Sequence, residues 1–174
     1  MQTAIDMRPG SSASHLTVKL ADYADPLDAG CVVLLTDAYA RDPMGGGKPL
    51  PLEARERLVH GLAGQPGAFS LIARVDGEPA GIANCFTGFS TFASRPLVNI
   101  HDLGVLADYR GRGVGKALLE AVEAEAEKRG ACKVTLEVLS GNAPAKALYA
   151  ATGYATYALD PASGTAQFWE KRLS

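Results

Sequence analysis

The sequence predicts an α/β (α+β) domain with a mixed, mostly antiparallel central sheet flanked by helices. Three observations carry this prediction. His15–Leu20 alternates polar and apolar residues as a half-buried strand does, whereas the run after Gly115 repeats its apolar residues at helical spacing. Two strand-like runs, Ala68–Val75 and Pro79–Phe92, flank Asp76-Gly77-Glu78, a hairpin turn that pairs them antiparallel. A third run, Leu97–Leu106, passes through a glycine-rich turn into a long helix and then a further strand, Cys132–Leu139.

Taken in order, residues 1–14 (MQTAIDMRPGSSAS) have little periodicity and read as a partly ordered leader, followed by one domain over 15–174. After the first strand, Asp25-Pro26 opens a helix to about Ala40, with Leu27, Val32, Leu34, Leu35 and Ala38 available for burial. Asp42–Pro51 (DPMGGGKPLP) reads as a flexible connector or lid, because its glycines lack a strand before and a helix after. A short amphipathic helix covers Leu52–Leu62, ended by Gly61 and Gly64. The long helix runs to Arg129, and Gly130 stops it as a C-cap would. Asn142 is a candidate N-cap for a helix to Thr152, with Pro144 in its first turn. Tyr154–Leu159 and Ala166–Leu173 read as two last strands, completing the order β-α-α-β-β-β-α-β-α-β-β.

At 174 residues, 47% hydrophobic and 21% charged, the chain is of ordinary globular composition. A net charge of −2 gives no global reason to expect nucleic acid. No apolar run approaches a membrane span and the N-terminus lacks a secretion signal's apolar core, so a cytoplasmic protein is expected. Cys31, Cys85 and Cys132 are odd in number and widely spaced, which suits small core residues and no metal site.

The chemistry concentrates in Leu103–Gly115 (LGVLADYRGRGVG). A strand, a glycine loop and a helix start aim several backbone N–H groups, and the positive end of a helix dipole, at one point. Arg110 and Arg112 add charge suited to phosphate oxygens. The spacing excludes two common phosphate loops. Gly115-Lys116 is followed by Ala117, so the P-loop pattern fails, and no frame starting at Gly111 or Gly113 completes a dinucleotide fingerprint.

The spacing Arg110-x-x-Gly113-x-Gly115 resembles the coenzyme A loop R/Q-x-x-G-x-G/A of the GCN5-related N-acetyltransferase (GNAT) superfamily. The later stretch CKVTLEVLSGNAPAKALYAATGY is similar to the same family's Asn-containing strand end and its helix carrying A-L-Y, closed by G-Y. The resemblance implies the acyl-CoA N-acyltransferase fold and transfer of an acetyl group from acetyl-CoA to a primary amine of a small molecule or peptide. It also implies that Arg110, Gly111, Arg112, Gly113, Val114, Gly115 and Lys116 hold the pyrophosphate. The strand at Asp102–Leu106 would splay from Val134–Val138, leaving a backbone N–H of Leu103 or Val105 to polarise the thioester carbonyl. Gly104, inside that strand, suits a bulge, a close backbone approach or plain packing. Asn142 would contact the coenzyme arm, cap its helix, or both. Tyr149 matches the tyrosine that protonates the departing thiolate, although its helical face could equally bury it in the core. A homodimer through Tyr154–Leu173 is a further implication.

One departure from the family pattern concerns the base. Many relatives carry a glutamate where this chain reads Asn99-Ile100-His101-Asp102-Leu103. His101 or Asp102 could take the amine's proton, since an imidazole titrates near neutrality and a carboxylate can orient it. Strand alternation turns the two side chains to opposite faces unless a bulge intervenes. The missing glutamate also leaves a non-catalytic acyl-CoA-binding module as the alternative. His15 and His60 have surface settings. Phe86, Phe89 and Phe92 read as sheet core before substrate wall, and Glu120, Glu123, Glu125 and Glu127 as a solvated helix face.

Overall fold

The computed structural model describes residues 14–173, so all but the last residue of the expected leader lies outside the described residues. A five-stranded sheet has the order β1 (Leu16–Leu20), β2 (Ala68–Val75), β3 (Glu78–Ser90), β4 (Arg95–Val105) and β5 (Val134–Leu136). The first four strands are antiparallel neighbours, and β5 lies parallel to β4. The sheet is therefore mixed and mostly antiparallel, as expected.

Two helix layers cover the sheet. On one face α3 (Val114–Lys128) buries Val114, Leu118, Leu119 and Val122 against Ala83, Cys85, Val98 and Ile100. Each of these larger side chains contributes about 1.5–3 kcal/mol by leaving water. On the other face α1 (Pro26–Arg41) and α2 (Leu52–Gly64) enclose Val32, Leu35 and Leu62 with Ile72 and Ile82. Asp25 caps α1 by accepting from the Leu27 N–H, with Pro26 in the first turn. Leu27 and Leu34, expected inside, are exposed, because the inward stripe of α1 carries Val32, Leu35, Thr36 and Asp37. That stripe is partly polar, which bears on the site below. α4 (Ala143–Ala151) packs Leu148 and Tyr149 beside α3.

Several expectations need correction. Among the described residues no strand follows β5: residues 154–173 lack sheet pairing, and a 3-10 turn occupies Pro161–Ser163. Alternation selects residues suited to a pleated surface, but a strand also needs a partner edge. Here one backbone bond, from the Ala166 N–H to Tyr157 O at 3.1 Å, joins the two stretches, and Tyr157, Leu159, Phe168, Trp169 and Leu173 stay exposed. Phe89 and Phe92 are not core either; they are exposed near the β3–β4 turn, while Phe86 packs inward. Glu125 is not on a solvated face. It is 8% exposed and ion-paired at 2.9 Å with Arg129, whose guanidinium lies 4.0 Å from the centroid of the Phe69 ring.

The Asp42–Pro51 connector is folded back on itself. The N–H groups of Gly45 and Gly47 donate to Asp42 O, and the Leu50 N–H donates to the Asp37 carboxylate at 2.9 Å. Gly45 is required here, since a Cβ would lie 2.0 Å from Tyr39 O.

Candidate active site

The glycine loop forms the expected strand–loop–helix junction. A 3-10 turn over Ala107–Tyr109 leads from β4 to Arg110, and Gly111 and Gly113 have φ of 72° and 82°, a left-handed conformation that favours glycine. Gly113 is the N-cap residue of α3, and the Ala117 N–H donates to its carbonyl at 3.0 Å. Among the described residues the N–H groups of Gly111, Arg112, Gly113, Val114, Gly115 and Lys116 have no hydrogen-bond partner. This is a cradle of donors at the positive end of a fifteen-residue helix. A Cβ on Gly115 would come within 2.9 Å of the Leu148 side chain, so the third glycine lets α4 approach. The Val114 side chain is buried in the core, which leaves only its backbone to the loop.

Basic side chains around the loop are disposed differently from one another. Lys116 is exposed and pairs with Glu120 at 3.5 Å, and Arg112 lies 5.6 Å from the Tyr109 ring centroid. Arg110 does not project freely toward the cradle. Its Nε donates to Val105 O at 3.1 Å and its guanidinium binds Asp42 at 2.6 Å.

Next to the cradle the sheet opens. β5 pairs with β4 only at Val98–Ile100, so β4 runs on to Val105 with that edge unpaired. The Leu106 N–H bonds back to Ala80 O on β3, and alternation then turns the N–H groups of Leu103 and Val105 outward to the open edge.

A bulge settles the alternation question raised by His101 and Asp102. Asn84 opposes Asp102 while Cys85 opposes Ile100, so His101 is an extra residue in β4. Both His101 and Asp102 therefore line one cavity of about 290 Å³ beneath α1 and α2. Asp102 is half-buried. Its carboxylate accepts from Asn84 Nδ2 at 3.0 Å, and the same amide donates to Thr36 Oγ1 at 3.1 Å. Asn84 Oδ1 accepts from Ser70 Oγ at 2.6 Å, and Ser70 Oγ lies 2.9 Å from the Tyr23 hydroxyl. Asn84 is 2% exposed and fully engaged, so it holds the carboxylate in one orientation. His101 is exposed and stands edge-on to Phe86, with centroids 5.6 Å apart. His15 and His60 are exposed and apart from this cavity.

Tyr149 is half-buried on α4, with its ring 6.1 Å from that of Tyr154. Burial, then the neighbouring Tyr39 hydroxyl, raises its pKa above the usual phenol value. Asn142 caps α4, accepting from the Ala145 N–H at 3.2 Å. Cys85 is a core residue whose burial pushes the thiol up to about 12, whereas Cys31 and Cys132 are half-buried. Among the described residues no group of three or more His, Cys, Asp or Glu could hold a metal, and no helix is long and apolar enough to cross a membrane.

Four contributors escaped the sequence reading: Asn84, Thr36, Tyr39 and the Asp42 carboxylate. Tyr39 lines the cavity and packs over β4, where a Cβ on Gly104 would come within 2.9 Å of Tyr39 Cβ. Gly104 is thus a packing glycine, and the bulge belongs to His101. A polar residue on the inward stripe of α1, or amid the apolar alternation of β3, is the signal that could have found Thr36 and Asn84.

The chain is similar to known proteins in sequence and in fold. The chain is 37% identical over 100 residues to a streptothricin acetyltransferase of Streptomyces lavendulae, which covers 56% of this chain and 51% of that protein. It is 44% identical over 55 residues to the ribosomal protein bS18-alanine N-acetyltransferase of Escherichia coli, covering 32% of this chain and 37% of that one. The chain thus spans about half the length, or less, of these curated relatives. An aminoglycoside N-acetyltransferase solved in complex with CoA superimposes with a TM-score of 0.72 at 19% identity, covering 94% of this chain and 99% of the other, and so shares the fold. The model of the acetyltransferase (GNAT) family matches residues 32–154, from inside α1 through the glycine loop to the tyrosine that follows α4, and the chain belongs to that family.

Proposed function

We propose that the chain transfers an acetyl group from acetyl-CoA to a primary amine held in the cavity beside β4. The observation that carries this reading is the adjacency of three features: the donor cradle at Gly111–Lys116, the outward N–H groups of Leu103 and Val105, and the cavity on the α1/α2 face of the same strand. Acetyl-CoA supplies an activated thioester. The cradle, with Arg112 and Lys116 at its rim, offers donors and charge that fit a pyrophosphate. The open edge of β4 suits an extended amide-containing arm that adds as a strand would. Leu103 or Val105 contributes an N–H that favours charge on the carbonyl oxygen as the amine adds. Asn142 lies at the start of α4, where its side chain could turn from cap to ligand.

Holding both reactants in line contributes about 7–11 kcal/mol to lowering the barrier. An alkylammonium must also lose a proton, which costs about 4.6 kcal/mol at pH 7 for a pKa near 10.4. Asp102 receives the incoming ammonium, and exposed His101 on the same face takes its proton to solvent. As the C–N bond forms and the C–S bond breaks, the nitrogen releases its second proton to solvent and the Tyr149 hydroxyl gives its proton to the thiolate, regaining one from solvent afterwards.

The proposed partner surface is a second copy of the chain meeting residues 154–173, where Leu159, Phe168 and Trp169 are exposed. Sedimentation of the chain with and without those residues tests it.

Calorimetric titration with acetyl-CoA, followed by thiol release over an amine panel, tests the activity. Gly113→Ala should weaken cofactor binding by about tenfold, because alanine at φ of 82° costs roughly 1–2 kcal/mol. Binding without thiol release on any amine would leave the non-catalytic acyl-CoA module as the function.

A further inference from the structure

The cavity beside β4 carries information about which amine it takes. Among the described lining residues Asp102 is the one carboxylate, while Leu50, Leu58, Leu62, Phe86 and the Tyr39 ring supply most of the wall. Leu62 and Phe86 belong to the packed cluster under α1 and α2, so this wall is core rather than loosely held surface. The volume of about 290 Å³ is at the small end for a ligand site. Its lip, at Gly45 and Leu50, is fixed by two carboxylates that do not enter the cavity: Asp37 holds the Leu50 N–H at 2.9 Å, and Asp42 holds Arg110 at 2.6 Å.

Resting on the acetyl-transfer reading, we propose that the acceptor is a compact monoamine, one ammonium on an apolar body, and not a polycation of the aminoglycoside or polyamine type. Asp102 meets the single ammonium. Its orientation is set by Asn84, itself pinned by Thr36 and Ser70, so the charge is aimed before any ligand arrives. The body of the amine lies against Leu58, Leu62 and Phe86. A second or third ammonium would be desolvated against leucine and phenylalanine with no carboxylate to meet it, an arrangement that strongly disfavours binding. The relatives that are acetyltransferases of streptothricin or aminoglycosides handle polycations, so the family alone does not imply this selectivity.

The test is binding rather than turnover. The CoA-loaded chain is titrated calorimetrically with 3-phenylpropylamine, spermidine and kanamycin, in the native sequence and in two variants. Asp102→Asn removes the ammonium's partner, and Ala54→Glu adds a second carboxylate at an exposed lining position of α2 that does not endanger folding. The expected result is that 3-phenylpropylamine binds at least about tenfold more tightly than kanamycin or spermidine and weakens at least about tenfold in Asp102→Asn. Ala54→Glu should narrow the gap in favour of spermidine. Equal or tighter binding of kanamycin or spermidine by the native chain, or indifference of the monoamine to Asp102→Asn, overturns the proposal. Thiol release is scored separately: monoamine binding with the expected selectivity but no release supports this acceptor site and refutes the transfer reaction alone.

Discussion

The Arg110 guanidinium and the Asp42 carboxylate, 68 residues apart in sequence, meet at 2.6 Å and join the glycine loop to the lip of the neighbouring cavity. Arg110 also anchors to Val105 O, so the side chain of the residue that precedes the cradle ties the end of β4 to the segment after α1. The Asp42 carboxyl is held below the usual carboxylate range first by the Met44 N–H and then by Arg110.

This link predicts a division of labour. Arg110→Ala should weaken acetyl-CoA binding and also raise the KM for the amine, because it releases both anchors. Asp42→Ala should raise the amine KM while leaving acetyl-CoA affinity nearly unchanged or improved, since it frees the guanidinium for phosphate. Arg110→Ala should shift stability by no more than about 1 kcal/mol, as its side chain is 57% exposed, whereas Asp42→Ala should cost more, because that carboxylate is 19% exposed and also accepts from the Met44 N–H. Separate titrations of cofactor and amine check this, and equal effects of the two variants on acetyl-CoA affinity would contradict it.

The legible parts of the fold were those with local causes. The cradle could be read because glycine at Gly111 and Gly113 answers a local need for positive φ, and the starts of α1 and α4 because Asp25-Pro26 and the Asn142 cap act within three residues. The Leu103 and Val105 donors came from the family resemblance, and the outward turn of their N–H groups follows from the pairing of β4 with β3. What stayed hidden depends on partners distant in sequence. Nothing near Asn84 announces that it meets Thr36 across 48 residues, and nothing near His101 announces that β4 gains a residue relative to β3. The terminal alternation from Tyr154 onward suits a strand, but local pattern cannot show whether a free edge exists to pair it.

Tyr149 predicts a one-sided pH profile. As a proton donor it works when protonated, so its activity is lost as pH rises through its pKa. Burial puts that pKa above the ordinary phenol value of 10.0, so no descending limb below pH 10 should come from this group. Tyr149→Phe should lower kcat by about 10²-fold or somewhat less, with the amine KM little changed. His101→Gln should lower kcat/KM and leave the upper end of the profile without a descending limb, as in the native chain. Profiles of kcat/KM for the three proteins decide it: a descending limb near pH 8 that disappears in Tyr149→Phe would show that Tyr149 has a lowered pKa and some other role.

Asp37 predicts how the cavity lip fails in acid. A hydrogen bond from Arg41 Nε at 2.8 Å lowers its pKa first, and the Leu50 N–H lowers it further against the opposing effect of burial. A depressed carboxyl pKa contributes stability that is fully present above the unfolded value of 3.8 and is lost as pH falls through the lower folded value. The native chain should therefore exceed Asp37→Asn in stability at pH 7, and the difference should shrink only below about pH 4. Asparagine can still accept from the Leu50 N–H but loses the ionic bond to Arg41, so the residual difference in acid isolates the neutral contact. Urea midpoints of the two proteins from pH 7 to pH 3 measure it, and a gap that stays constant through pH 3 would mean that the lip is held without charge.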